Sequence, residues 1–165
     1  AYMQKAAAAG RNVTALAGEI DKLKKWIAAG GAATREQQDA EDRAKREYEE
    51  AERKLAAANR ALNSGNAANR ARGCRDSAAI AGAGALTALV RLMQTDPSYD
   101  VRIACTVALG TLGAGGRPAV KNVEAMQRLP KYQAPIGNAT AQDLDNEMKD
   151  DDWRRALRDT LAKIR

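Results

Sequence analysis

Asp100-Val101-Arg102-Ile103-Ala104-Cys105-Thr106-Val107-Ala108-Leu109-Gly110-Thr111-Leu112-Gly113 reads as a single amphipathic helix. Val101, Ala104, Cys105, Ala108, Leu109 and Leu112 recur at the three- and four-residue spacing that lines one helix face. Asp100 stands where an N-cap belongs, and Gly113 follows the last apolar residue. Several inward side chains are small, so a second backbone can approach closely.

Composition supports the same architecture for the whole chain. The 165 residues suit one large domain or two small ones. With no Phe, two Trp and four Tyr, the core must be filled by close helix contact and not by aromatic bulk. Alanine is abundant and favours helix. The expected class is all-α.

Working outward, Asn69 to Ala81 reads as a helix with Cys74, Ala78 and Ala79 facing inward, broken at Gly82-Ala83-Gly84. A helix follows with Leu86, Leu89, Val90 and Met93 on its apolar face, and Asp96-Pro97-Ser98-Tyr99 is a turn. Beyond Gly115-Gly116, Arg117-Pro118 opens a partner helix, with Pro118 in a first turn where its missing N–H costs nothing. Ala119, Val120, Val123 and Met126 form the inner face of that helix. Ala85-Leu86 and Ala119-Val120 lie 34 residues apart, within the range of helical repeats. Residues 130–150 interrupt the period. Pro130, Pro135 and Gly137 indicate an ordered loop, and Thr140 with Asp143 caps a short helix through Met148. A last helix starts at Asp152-Trp153-Arg154-Arg155-Ala156 and carries Leu157, Leu161 and Ile164. It has no following partner helix, so a neighbouring subunit or the N-terminal hairpin is expected to cover it.

The 100–113 stretch resembles the first helix of a HEAT repeat, whose pattern is D-x-V-R-x-A-A-x-x-A-L-G-x-L-G. Cys105 stands in for a small apolar residue. The resemblance extends over residues 66–165 and is strongest at 100–126. It implies a short HEAT-like α-solenoid, a scaffold that binds partners. It also implies a structural Arg102, paired with the acid that begins a neighbouring repeat. Trp153 and Arg154 occupy the Val-Arg places of the pattern. Some HEAT-like proteins hold DNA in a basic concave groove, and some are chromophore lyases or DNA glycosylases.

Residues 1–65 form a separate unit, an antiparallel, coiled-coil-like helical hairpin. Ala6, Val13, Ile20 and Ile27 fall at one heptad position and Tyr2, Ala9, Leu16 and Leu23 at the other. Gly30-Gly31 supplies the stop. The second helix, 34–63, begins with a capping box at Thr34-Arg35-Glu36-Gln37 and ends at Asn63-Ser64-Gly65-Asn66. Glu41, Tyr48, Leu55 and Leu62 share one seam with Ala44, Ala51 and Ala58. Turn symmetry sets Ile20 against Ala44 and Leu16 against Tyr48, large against small.

Little catalytic chemistry is legible. The chain has no His, which removes the commonest general base, the Ser-His-Asp triad and His-based metal sites. No enzyme, cofactor or metal is expected. Gly110-x-x-Gly113-x-Gly115-Gly116 follows a helix and lacks the Lys-Ser/Thr ending of a phosphate loop. Asp143, Asp145, Glu147, Asp150, Asp151 and Asp152 lack the Gly and terminal Glu of a calcium loop. They suit either a helix N-terminus or contact with a cation or basic partner. Cys74 and Cys105 are two small buried thiols or, in an oxidising compartment, a disulfide.

The expected partners are protein chains, chiefly copies of this one. Lys22, Lys24, Lys25 and Trp26 crowd the hairpin tip, where Trp26 either anchors a partner or covers the seam edge. Arg70, Arg72 and Arg75, with Arg91, Lys121 and Arg128, form a candidate basic surface, and Trp153 completes the candidate contacts. The net charge of +6 and pI near 9.5 keep nucleic acid as the alternative partner. The surplus is spread, however: 12 basic and 10 acidic residues precede Gly65, and 15 and 11 follow it. No run of about 18 apolar residues is present, so no membrane span is expected. A chain processed at Ala1 would belong outside the cytoplasm. Asn12-Val13-Thr14 and Asn138-Ala139-Thr140 fit the N-glycosylation pattern.

Overall fold

The computed structural model describes residues 13–28 and 35–165. Seven α-helices are present among them: α1 (Val13–Ala28), α2 (Arg35–Leu62), α3 (Ala67–Ala81), α4 (Leu86–Thr95), α5 (Tyr99–Thr111), α6 (Val120–Gln127) and α7 (Ala141–Ile164). Short 3-10 stretches at Gly82–Ala85 and Gly113–Ala119 join α3 to α4 and α5 to α6. The described residues contain no strand, and the class is all-α. The seam positions Tyr2, Ala6 and Ala9, the Gly30-Gly31 stop, Thr34 of the expected capping box and the motif at Asn12 lie outside the described residues. So do the side chains of Val13, Leu16 and Ile27.

The central element is α5, which packs on α3, α4 and α7. Of its six expected core residues, Val101, Ala104, Cys105, Ala108 and Leu109 are buried and Leu112 is half-buried. Thr106 and Gly110 are buried as well, because α7 covers the side of α5 away from α3. The N-cap position belongs to Ser98, and Asp100 lies in the first turn. An acid there still meets the positive end of the helix dipole.

Two bent segments repeat one plan. Gly82 and Gly113 both have φ of +52°, a left-handed conformation that favours glycine, and each turns an α-helix into a 3-10 stretch. The second stretch has seven residues and the first four. Equivalent positions are therefore 31 residues apart before the bend and 34 after it. Cys74 and Cys105 are separated by 31 residues and occupy equivalent places on the adjacent helices α3 and α5. They form a disulfide with Cα atoms 5.0 Å apart, and both are fully buried. Pro118 sits inside the second 3-10 stretch and not in the first turn of α6.

The helices pair in a different phase from the one expected. Instead of α3 with α4 and α5 with α6, α4 packs on α5 and α6 on α7, while the end of α2 packs on α3. The stack then runs through α3, α5 and α7. This corrects the expectation that the last helix lacks a partner. The inner face of α7 buries Trp153, Ala156, Leu157, Thr160, Leu161 and Ile164. Its outer face exposes Asp151, Asp152, Arg155, Arg158, Asp159 and Lys163, so this end of the stack is closed by polar side chains. A single helix also replaces the expected short helix and separate restart at Asp152. It begins at Thr140, where the Thr140 hydroxyl accepts from the Asp143 N–H and the Asp143 carboxylate accepts from the Thr140 N–H.

The first two helices join this core through α2, which packs on α3, while α1 packs on α2. Only Leu62, the last residue of α2, belongs to the main apolar cluster. There α2 approaches α3 closely: a Cβ on Gly73 would lie 2.7 Å from the Leu62 backbone nitrogen. Farther from Leu62, α2 packs on α1, where Ile20 and Ala44 are buried. Its other faces are charged and held by local bonds such as Lys54–Glu50 at 2.6 Å. With its last turns on α3 and its far part on α1, α2 carries α1 as an arm.

Two further expectations change. Ala79 is exposed, not inward. The helical run Ala67–Thr95 is long and apolar enough, by length and composition alone, to cross a membrane. It is bent at Gly82, and Cys74, Leu89, Leu92 and Met93 on its inner side are packed in the core.

Candidate interaction surfaces

Most charged side chains of the core are already committed to partners. Arg70 forms a bidentate pair with Asp96, Nε to Oδ2 at 2.7 Å and Nη2 to Oδ1 at 2.9 Å. Its other terminal nitrogen donates to the Ser64 and Gly65 carbonyls. Asp96 also accepts from the Ser98 N–H, so one buried carboxylate fixes the end of α4, the start of α5 and the α2–α3 turn. Burial raises the Asp96 pKa, but the Arg70 and Ser98 hydrogen bonds and the charges of Arg70 and Arg102 outweigh it. The carboxyl is held below its usual range. Arg70 is therefore a structural residue and leaves the expected basic surface.

Trp153 leaves the contact surface too. It is 2% exposed, and its indole Nε1 donates to Thr106 Oγ1 at 3.0 Å. The Thr106 hydroxyl donates in turn to the Arg102 carbonyl, and Thr160 donates to the Thr106 carbonyl at 2.8 Å. Tyr99 meets Trp153 edge-to-face at 6.1 Å, and the Arg102 guanidinium lies 5.0 Å and 5.4 Å from the two ring centroids. Arg102 is structural, as expected, but it donates to the Asp96 carbonyl and stacks on aromatics. The acid that begins the next repeat, Asp152, pairs with Arg155 at 3.5 Å instead, and Asp100 pairs with Lys149 at 3.0 Å.

The loop 128–140 is pinned onto α7. Arg154 donates to the carbonyls of Leu129 and Pro130 and pairs with buried Asp150 at 2.7 Å. Asp150 also accepts from the Tyr132 N–H, the Tyr132 hydroxyl donates to Asp143, and Lys131 reaches Asp151 at 2.9 Å. Asp143, Asp145, Asp150, Asp151 and Asp152 thus serve in a cap or in ion pairs, and no group of acids among the described residues has metal-holding geometry. Gly116 lies against Ile164 and the Leu109 carbonyl, so the glycine run permits helix contact.

No family model, curated protein or solved structure matches the chain. Three surface features remain. At the arm tip Lys22, Lys24, Lys25 and Trp26 are all exposed, Trp26 by 45%. Lys24 is turned toward α2, where it lines a groove of about 530 Å³ with Ile20, Asp21, Glu41 and Tyr48. Lys22, Lys25 and Trp26 share one outward face at i, i+3 and i+4. Arg72, Arg75, Arg91 and Lys121 are exposed and have no ion pair among the described residues, whereas Arg128 lies 4.0 Å from Glu124. The third feature escapes a search for charged and catalytic residues: Leu144 and Met148 are 53% and 65% exposed on the first turns of α7. Its signal is a leucine and a methionine four residues apart, outside the apolar positions that continue into the core.

Proposed function

We propose that the chain is a non-enzymatic helical-repeat scaffold, HEAT-like over residues 66–165, that binds other protein chains and assembles with copies of itself into a filament or ring. The observation that carries this reading is the arm. Its tip presents a half-exposed Trp26 beside Lys22 and Lys25, remote from the main apolar cluster. Aromatic side chains beside cations are common anchors of protein interfaces. The chain's lack of His and the tying of its core carboxylates into caps and ion pairs support a role without catalysis. The buried Cys74–Cys105 disulfide supports an oxidising compartment. Light scattering tests the reading. A mass several times that of one chain supports it, and a single-chain mass at high concentration refutes it.

Nucleic-acid binding is the second reading, favoured by the exposed Arg72, Arg75, Arg91 and Lys121, which have no ion pair among the described residues. Such binding would weaken steeply with added salt. Failure to retain DNA or RNA on a gel at low salt removes it.

A further inference from the structure

We infer that the arm tip of one copy docks on the exposed face at the start of α7 of the next copy, through Lys22, Lys25 and Trp26 against Leu144, Glu147, Met148 and Asp151. This rests on the self-assembly reading and names its two surfaces. On α7 the four residues follow one another at i, i+3, i+4 and i+7 and therefore line a single face. Leu144 and Met148 are more than half exposed, and no described residue covers that part of them. Asp151 is 53% exposed at its side chain, and its one ion pair, with Lys131, faces solvent. Glu147 has no ion pair among the described residues.

The two faces match in character. One offers an indole beside two ammonium groups; the other offers two flexible apolar side chains beside two carboxylates. Met and Leu adapt to an aromatic ring, and methionine sulfur gains further from ring contact. Opposite charge at the rim fixes orientation and speeds encounter more than it adds affinity.

The occupant is a second copy, because the chain itself carries both members of this complementary pair of faces. Contacts in the chain pass from α1 to α2, α3, α5 and α7 in turn. A helix of 28 residues such as α2 is about 42 Å long, at 1.5 Å per residue. Trp26 lies in the last turn of α1, at the end of the arm away from Leu62. Two different surfaces meeting head to tail leave one of each kind free on every dimer. The contact therefore propagates until a ring closes or a filament grows.

Two variants test this, each altered only at exposed side chains and checked for unchanged helicity and melting. The first, K22E/W26S/K25E, blocks the arm. The second, L144K/M148K, blocks the α7 face. By sedimentation velocity, each alone is expected to run as a monomer where the wild type forms larger species. An equimolar mixture is expected to give particles of twice the single-chain mass and nothing larger, because each variant retains the surface the other lacks. Assembly of either variant like the wild type, or a mixture that stays monomeric, overturns these surfaces while leaving self-assembly intact. A wild type that never associates overturns both.

Discussion

At the scale of single residues, buried polar groups decide which side chains are structural. Ser77 is 1% exposed, and its hydroxyl has no hydrogen-bond partner. A buried hydroxyl without a partner carries its desolvation cost uncompensated. Ser77→Ala is expected to stabilise the fold by about 1 kcal/mol, read as a raised urea midpoint with an unchanged m-value. Asp96 is the opposite case, since every oxygen is engaged. Its folded pKa lies below the unfolded value, so its stabilisation is present above that unfolded value, near 4, and disappears as pH falls through the depressed folded value. Asp96→Asn leaves Arg70 without its anion and is expected to cost about 3 kcal/mol at neutral pH. Thermal melts from pH 6 to pH 2 should also show a shallower loss of stability for the variant than for the wild type. Equal slopes would mean that Asp96 does not carry the linkage.

At the scale of elements, α3 and α5 are held in register by a bond between equivalent positions. The Cys74–Cys105 disulfide encloses 31 residues, for which chain entropy gives about 3–4 kcal/mol of stabilisation. The unfolded protein is expected to yield two thiols to a labelling reagent after reduction and none before it. The reduced protein should melt lower. Two reactive thiols in unreduced, denatured protein would refute the bridge. Much of α5 could be read from sequence, because five of its six periodic apolar residues are buried. Thr106 and Gly110 could not, because one-face periodicity is blind to a helix covered on two sides, and Thr160, on the inner face of α7, is polar and does not register in an apolar pattern. The phase of pairing was missed for a related reason. The Ala-Leu and Ala-Val pairs gave a spacing of 34, whereas Gly82-Ala83-Gly84 and Gly113-Ala114-Gly115 carry the spacing of 31 that places the two cysteines together. The triple acid Asp150-Asp151-Asp152 suggested a helix start, yet Asp150 is buried against Arg154 in the middle of α7.

At the scale of the whole molecule, the closed end of the stack moves the case for assembly from α7's last turns to its first ones and to the arm. The sequence suggested an unfinished helix pair at the C-terminal end. The polar outer face of α7 closes that end, while Trp26, Leu144 and Met148 stay exposed elsewhere. Whether Trp26 anchors a partner could be asked from sequence, because lysines surround it. Which surface receives it required the position of Leu144 and Met148 relative to the core. Because both faces carry charge at their rims, assembly is expected to weaken between low and high salt without vanishing, since the apolar centre is not screened. The most direct measurement is sedimentation velocity of the unaltered protein over a hundredfold range of concentration in moderate salt. The account predicts a distribution that moves to larger species as concentration rises. A single boundary at the mass of one chain across the whole range would contradict it.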